Sequence, residues 1–241
     1  MTTPQSQIAT HLQTTKSLAV SPTWLNSFLS SSTALQRNIP LSALTQTALF
    51  RILASDFRDS LTTNNPSSLL PIDIFDPTVQ ERRLPGPIPV QVLDIEDIGT
   101  SLWSQVEAIE RVERGEAIRG REIVRTVNVG GEEGEEGAAG AGETGGAGAS
   151  NGPHRLILQD AAGTRAVGIE LVRVDGVAVN KLPIGAKMVL RNAMVARGMV
   201  LLTPECVTVL GGKIEGMDLA WKEGRKARLL ERISGTGEGQ M

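Results

Sequence analysis

The chain has 241 residues, of which 40% are apolar and 21% are charged, which is enough apolar material for one large or two small packed domains. Its formal net charge of -3 gives no general attraction to nucleic acid, and its single cysteine, Cys206, excludes an internal disulfide framework and fits a reducing compartment. The N-terminus lacks the apolar core of a signal peptide, and no apolar run approaches ~18 residues. We therefore expect an intracellular, soluble protein.

The N-terminal third of the chain predicts helices. Residues 1–20 are rich in Thr, Gln and Ser, a composition that predicts a disordered tail. Ser21 is a favourable helix cap before Pro22, and apolar residues then recur at helical spacing to about residue 61. Two or three short helices therefore form a bundle, and we place this helical domain at 21–83.

From residue 84 the pattern changes to that of short strands. Apolar residues alternate over 88–95, which predicts a strand, whereas 102–114 returns to helical spacing. Beyond the Gly-rich stretch, Val167, Ile169 and Leu171 alternate with smaller or polar neighbours, and Gly168 within that run predicts a bend or a bulge. The four strands expected after that stretch lie at about 154–160, 166–174, 187–196 and 199–210, the last two joined by a turn at Arg197 and Gly198.

Five short strands in about 125 residues favour an OB-type barrel. The predicted fold class is therefore α+β, with an N-terminal three-helix bundle, a five-stranded OB-type β-barrel and a C-terminal helix at about 213–233. The barrel domain extends over 84–233 and carries a long insertion at 99–153 between its first two strands. We expect 130–152, rich in Gly and Glu, and 234–241 to be disordered.

Familiar chemical motifs fail on inspection. Gly140, Gly142 and Gly145 form a G-x-G-x-x-G match, but no strand feeds the first glycine, no helix follows the last, and five carboxylates in 130–152 repel phosphate. The two histidines and the single cysteine lack the spacing of metal ligands, and no base accompanies a nucleophile. We therefore expect no enzyme activity, no metal and no cofactor.

Two further features concern possible partners. The segment 154–212 contains no Phe, Trp or Tyr, so a barrel built from it cannot read bases by aromatic stacking. The C-terminal helix combines an apolar stripe with basic residues. That face is either solvated while the helix packs on its own barrel, or it contacts DNA phosphates or an acidic partner.

The segment 182–217 resembles the signature of the RecQ-mediated genome instability protein 1 family, in which a Leu-Pro-x-Gly-x-Lys strand entry precedes an Arg-Gly turn and a Pro-Glu…Leu-Gly-Gly strand. The first part matches at Leu182, Pro183, Gly185 and Lys187. The second part, "RGMVLLTPECVTVLGG", matches over 197–212, with Cys206 where Asn is usual. "PTWL" at 22–25 and "DFRDS" at 56–60 resemble the helical domain of that family, so the resemblance covers about 21–233.

The resemblance implies a non-catalytic OB subunit that binds topoisomerase III and works with a RecQ-type helicase, contacted directly or through the topoisomerase, to dissolve double Holliday junctions and decatenate DNA. It implies nuclear localisation, DNA contact mainly through the complex, no membrane association, and the short form with one OB domain. In the family the insertion reaches toward the topoisomerase gate, so we expect part of 99–153 to bias the gate. A direct single-strand-binding module and a scaffold without a gate role remain alternatives.

Two places in the chain are candidates for the contact with the topoisomerase. An exposed Lys187 at a strand entry with its preceding loop is one candidate, and the apolar face of the helix at 102–114 is another. The tentative partner-binding residues are Lys187, Leu182, Pro183, Trp103, Val106 and Ile109. The tentative gate-loop residues are Glu113, Arg114, Arg119, Arg121 and Arg125.

Overall fold

The computed structural model describes residues 3–31, 40–115 and 152–237. The chain divides into two compact units, one comprising 1–99 with 152–224 and the other 100–151 with 225–241. The first contains the helices of the N-terminal third and all the described strands. The predicted disordered stretch at 130–152 lies outside the described residues except for Gly152.

The N-terminal helices pack around one apolar cluster. They are α1 (Pro4–Lys16), α2 (Pro22–Ser31), α3 (Leu41–Leu53) and the single turn α4 (Phe57–Ser60). The side chains of Leu25, Ile52 and Phe57 are fully or almost fully buried in this cluster, and Trp24 stacks on Phe28 with ring centroids 5.6 Å apart. This agrees with the predicted helical bundle.

The disordered tail predicted at 1–20 is wrong, because α1 forms there. Thr3 caps its first turn by accepting a hydrogen bond from the backbone N–H of Ser6, and Ser17 closes the helix in the left-handed conformation. Ile8 and Leu12, one turn apart, are buried in the helical cluster. The abundance of Thr and Gln concealed this two-residue apolar stripe, and tertiary burial rather than propensity stabilises the helix.

One mixed sheet holds the eight described strands. They are β1 (Glu81–Leu84), β2 (Ile88–Asp97), β3 (His154–Gln159), β4 (Arg165–Glu170), β5 (Lys187–Leu190), β6 (Ala193–Ala196), β7 (Met199–Leu202) and β8 (Val207–Gly211). Their order in the sheet is β1-β6-β7-β4-β3-β2-β5-β8, and only β4 and β7 pair in parallel. β1 pairs with β6, so residues 81–83 belong to the sheet and not to the predicted helical domain.

The sheet curls into a half-barrel of the OB type. β5 and β6 lie near opposite ends of the strand order, yet only Arg191 and Asn192 connect them on the chain. Two residues span less than about 10 Å, so the ends of the sheet must approach each other. The fourth predicted strand is thus β5 and β6 with a kink at Asn192 (φ 51°), and the fifth is β7 and β8. The Arg197–Gly198 turn joins β6 to β7 as predicted.

Gly168 marks a close approach of side chains and not the predicted bulge. The register of β4 against both of its neighbours is continuous, whereas the irregularities lie in the pairings of β2 between Val92 and Asp94 and of β5 between Lys187 and Met188. A Cβ on Gly168 would lie 2.9 Å from Cδ1 of Leu202 and 3.2 Å from Cδ1 of Leu158. Leucines of the neighbouring strands therefore fill the space inside β4.

The second unit pairs α5 (Leu102–Glu113) with the end of α6 (Glu215–Gly237). Lys226 Nζ lies 2.6 Å from Glu113 Oε2 and 3.3 Å from Glu110 Oε1, while Val106 and Leu229 are buried. The helix continues through the start of the tail predicted to be disordered at 234–241. Lys222 is also paired, with Asp218 at 2.6 Å, so part of the basic face is used within the chain.

Two classes of feature are not found among the described residues. No helix there combines the length and the apolarity needed to cross a membrane. In the same part of the chain, no three potential metal ligands come together.

Candidate functional surfaces

The Leu182–Lys187 segment anchors the start of α6 to the sheet. The backbone N–H of Gly185 donates to the carbonyl of Val92 (2.7 Å), and that of Ile214 donates to the carbonyl of Ile184 (3.1 Å). Gly185 has a φ of 83°, and a Cβ there would lie 2.4 Å from the nitrogen of Ile214. Only glycine fits this backbone conformation and this close approach. The glycine of the family signature is therefore structural.

The end of the signature docks the sheet onto the helical cluster. Gly212 has a φ of 82°, and a Cβ on it would lie 2.4 Å from the carbonyl oxygen of Leu53 at the end of α3. Cys206 is buried in the turn before β8, where its Sγ accepts from the backbone N–H of Thr203 at 3.2 Å. A small side chain that accepts this hydrogen bond stabilises the turn.

Lys187 is buried, so its predicted exposure is wrong. Its side chain is 0% exposed, its Nζ donates to Gln91 Oε1 at 3.1 Å, and it lies 4.8 Å from the centroid of the Phe57 ring. Gln91 in turn donates to Asp56 Oδ1 (2.9 Å) and accepts the backbone N–H of Phe57 (3.0 Å). Lys187 therefore holds α4 against β2 and β5. A strand entry with a lysine suggested solvation, but a neighbouring helix covers it.

Burial and neighbouring groups shift the pKa values of both Lys187 and Asp56 in this network. Burial lowers the pKa of Lys187 to about 8, and the negative charge of Asp56 opposes that shift only in part. Burial by itself raises the pKa of Asp56, but hydrogen bonds from Arg58 and Gln91 outweigh it and hold the pKa below its ordinary value. The arrangement suits a structural cation with a carboxylate nearby. Lys187 is thus excluded as a direct partner contact.

The remaining predicted contacts divide between the two units. Leu182 is buried in the sheet core and Pro183 is half-buried. On α5, Val106 is buried and Ile109 is half-buried, so the predicted apolar face is largely covered, whereas Trp103 is 64% exposed. Trp103 is therefore the one large apolar side chain of that set available to a partner.

The predicted gate-loop residues are described only at their start. Glu113 is exposed and paired with Lys226, and Arg114 lies 3.7 Å from Glu110. The other three, Arg119, Arg121 and Arg125, lie outside the described residues.

The insertion leaves the sheet through a narrow neck. The backbone N–H of Ile98 donates to the carbonyl of Pro153 at 3.0 Å. A Cβ on Gly99 would lie 2.6 Å from the Cα of Gly152, and a Cβ on Gly152 would lie 2.7 Å from the Cα of Gly99. The two glycines thus let the outgoing and returning backbones touch.

Large aliphatic side chains cover the outer face of the half-barrel, and the sequence reasoning missed this surface. In β4, the small residues Ala166 and Gly168 point into the core, whereas Val167 and Ile169 point outward and are half-buried. Cross-strand partners share a face, so the registers of β3, β4, β6 and β7 define one patch. This outer face consists of Ile157, Val167, Ile169, Met194, Ala196, Met199 and Leu201.

The residues at the inward positions of β4 are a sequence signal for this surface. In an ordinary half-buried strand, the large apolar residues face the core. In β4 the large apolar residues face outward, and the inward positions hold Ala166, Gly168 and Glu170. Glu170 is buried and accepts the backbone N–H of His154 (3.0 Å) and that of Val174 (2.8 Å), while its Oε2 lies 2.6 Å from His154 Nδ1. A satisfied polar group and small side chains can thus occupy the inner phase.

The comparisons with known proteins agree with this architecture. Residues 70–225 match the family model described as the RMI1 N-terminal OB-fold domain, and residues 12–60 match the RMI1 N-terminal helical domain. The chain is also 26% identical over 217 residues to RecQ-mediated genome instability protein 1 of Schizosaccharomyces pombe (strain 972 / ATCC 24843), with 88% of each chain covered. Because the OB-fold match alone extends over more than half of its length, the chain belongs to the RMI1 family of OB-fold genome-stability proteins.

Proposed function

We propose that this protein is a non-catalytic OB-fold subunit that binds topoisomerase III. With a RecQ-family helicase, the complex promotes dissolution of double Holliday junctions and decatenation in the nucleus. Family membership supports this proposal, and the name of the fission yeast relative links that protein to the RecQ pathway.

The aliphatic outer face is the observation that carries the proposal. The face of OB strands two and three is where OB modules that bind oligonucleotides carry their ligand, and single-strand binders stack bases there on aromatic rings. Here the equivalent strands β3 and β4 present Ile157, Val167 and Ile169, and no aromatic residue occurs anywhere in 154–212. Apolar patches of this kind mark protein contacts. The geometry thus favours a protein partner over a nucleic-acid ligand.

The insertion supplies the proposed second role, that of modulating the topoisomerase gate. The neck at Gly99 and Gly152 holds the two ends of the insertion together at the sheet. A subunit that binds the open gate more tightly than the closed gate shifts the gate equilibrium, about tenfold for each 1.4 kcal/mol of preference. The residues proposed for this role are Glu113, Arg114, Arg119, Arg121 and Arg125.

The test combines a binding assay with an activity assay. The full chain is titrated against topoisomerase III of its own organism, and decatenation is then measured with and without the subunit. Binding together with stimulated decatenation supports the proposal. Absence of binding at micromolar concentrations, or tight and salt-sensitive binding of single-stranded DNA by the protein alone, refutes it.

Deletion of 130–151, which keeps the neck residue Gly152, separates the gate role from binding. We expect the deletion variant to bind the topoisomerase like the full chain but to stimulate decatenation less. If stimulation is unchanged, this Gly- and Glu-rich stretch has no part in gate modulation and the scaffold alternative is favoured.

A further inference from the structure

Each end of the insertion meets a buried carboxylate where it joins the sheet. On the outgoing strand, Asp97 is buried and its Oδ1 accepts the backbone N–H of Gly99 at 2.8 Å. On the returning strand, His154 begins β3, and Glu170 at the end of β4 accepts its backbone N–H at 3.0 Å. The strand registers place Asp97, His154 and Glu170 in one row across β2, β3 and β4. This row borders the neck.

Glu170 holds His154 by two atoms at once. Its Oε2 accepts the backbone N–H and also lies 2.6 Å from Nδ1 of the imidazole ring, while its Oε1 accepts the backbone N–H of Val174 at 2.8 Å. The side chains of His154 and Glu170 are 2% and 1% exposed, so water does not compete for these contacts. A distance of 2.6 Å requires a hydrogen between the two atoms, and charge-assisted bonds of this kind are strong. Both the backbone and the ring of the first residue of β3 are therefore fixed from β4.

Packing of the barrel does not explain a carboxylate at the end of β4. The other inward positions of that strand are Ala166 and Gly168, and leucines of the neighbouring strands fill the space over Gly168. An apolar side chain at the position of Glu170 would avoid the desolvation of a carboxylate. It would, however, leave the backbone N–H groups of His154 and Val174 without the acceptor that they use here. The carboxylate thus serves the strand end and not the core.

The neck lies directly beside this row. A Cβ on Gly152 would lie 2.8 Å from Asp97 Oδ1, and the backbone N–H of Ile98 donates to the carbonyl of Pro153 at 3.0 Å. Because Pro153 is bonded to His154, a shift of the His154 backbone would also displace this hydrogen bond. The contact between β4 and His154 therefore determines where the returning backbone meets the outgoing one.

We propose that Glu170, which lies outside the insertion, is a positioning residue for it and acts through His154 to fix the point at which the insertion returns to the sheet. This inference rests on the proposed function, in which the insertion modulates the topoisomerase gate. A loosened return point gives the insertion additional conformational freedom, which is lost when the insertion engages the gate. The preference for the open gate then falls, while contacts made by the rest of the barrel are unchanged.

Two buried carboxylates at opposite ends of β3 provide the test and its control. Glu170→Gln keeps the size of the side chain but replaces one acceptor oxygen by an NH₂ group. Asp160→Asn makes the same change beyond the other end of β3, where Asp160 is buried and accepts the backbone N–H groups of Leu70 and Thr164, both at 2.8 Å. We expect both variants to bind topoisomerase III like the unchanged protein. Stimulation of decatenation should fall about threefold or more in Glu170→Gln and stay unchanged in Asp160→Asn.

Hydrogen exchange of the protein alone measures the neck independently of the topoisomerase. In Glu170→Gln, the backbone amide that faces the new NH₂ group, that of His154 or that of Val174, should exchange at least about tenfold faster because it has lost a buried acceptor. Asp160→Asn should leave both amides unchanged. Unaltered exchange in Glu170→Gln overturns the inference, as does faster exchange with full stimulation, or an equal loss of stimulation in Asp160→Asn. If the unchanged protein neither binds nor stimulates the topoisomerase, the proposed function itself is refuted.

A second pair of variants covers the case in which Glu170→Gln does not fold. His154→Leu removes the ring nitrogen and keeps the backbone N–H, whereas His154→Asn places an amide donor near the position of Nδ1. Circular dichroism and thermal melting establish that each variant is folded. We expect equal topoisomerase binding, with stimulation retained by His154→Asn and reduced in His154→Leu. Equal stimulation by these two variants would overturn the inference.

Discussion

Burial of the Lys187 ammonium group has an electrostatic cost in the folded protein. Its ammonium group is removed from water, and a hydrogen bond to Gln91, the face of Phe57 and the charge of Asp56 compensate in part. Because all three partners connect the helical cluster with the sheet, the lysine specifies how α4 lies on β2 and β5. A glutamate at this position would place a second carboxylate near Asp56, so loss of binding in that variant would report unfolding rather than a lost contact.

Replacing this lysine by methionine should change how stability depends on pH. Between pH 8 and about 10.4, the unfolded chain binds a proton at Lys187 that the folded chain has lost, so the free energy of unfolding contributed by this group rises with pH. Lys187→Met removes that dependence and retains the apolar contact with Phe57. We expect the variant to be at least as stable as the unchanged protein at pH 7.5, and the difference to shift by about 1–2 kcal/mol in favour of the unchanged protein at pH 9.5.

Urea unfolding of both proteins at pH 7.5 and 9.5 measures the difference in their free energies of unfolding and its change with pH. A difference between the two proteins that stays constant from pH 7.5 to 9.5 would show that Lys187 is charged and equally solvated in both states.

The sequence could not reveal the burial of Lys187, because its cover comes from a segment about 130 residues earlier in the chain. The period-2 pattern predicted the strand and its entry, which are local. The same reasoning missed α1, whose two buried side chains are matched by partners on α3 and not by local propensity. Local periodicity therefore predicted most elements, and long-range contacts decided which residues are exposed.

At the scale of elements, the signature glycines are joints between segments. Gly185 joins the β5 entry to the start of α6, and Gly212 joins the end of β8 to α3. Each has a positive φ and each is in contact with backbone atoms, which cannot move away as a flexible side chain would. The motif by which the family is recognised thus records how the elements pack, and the proposed binding surface lies elsewhere.

Alanine substitutions should rank these joints by free energy. Gly185→Ala and Gly212→Ala should each lower the free energy of unfolding by about 2–4 kcal/mol, from the left-handed backbone together with the clash of the new Cβ. Gly211→Ala has the same backbone conformation with no atom within 4 Å of its Cβ, so only about 1 kcal/mol should be lost. Gly216→Ala, in the first turn of α6 and equally open, should be neutral or slightly stabilising.

Denaturation midpoints of the four variants provide the comparison. If Gly211→Ala costs as much as Gly212→Ala, the close approach to Leu53 contributes nothing measurable.

Element type was easier to predict than element orientation. The alternation in β4 correctly identified the strand, but its phase relative to the core depended on Leu158 and Leu202, whose side chains fill the space over Gly168. A one-residue change of phase exchanges the inner and outer faces of a strand. The outer face therefore became visible only once the strand registers were known.

At the scale of the whole molecule, the insertion is attached at one narrow point. Its two ends meet at the neck, where the backbones of Gly99 and Gly152 touch and Ile98 is hydrogen-bonded to Pro153. The helix α5 beyond the neck pairs with the end of α6 in a compact unit of its own.

This attachment predicts that the first unit folds without the second. A four-residue Gly-Ser linker in place of 100–151 should close β2 onto β3, because the ends already lie within hydrogen-bonding distance. Ending the chain at Gly224 at the same time removes the part of α6 that belongs to the second unit. Shortening the loop also reduces the entropy of the unfolded chain, by about 2 kcal/mol, so we expect a cooperative thermal transition at or slightly above that of the full chain.

With the linker alone, Leu229 loses its buried surroundings, and size-exclusion chromatography should show self-association that the doubly shortened chain lacks. A doubly shortened chain that melts without cooperativity would instead show that the two units stabilise each other.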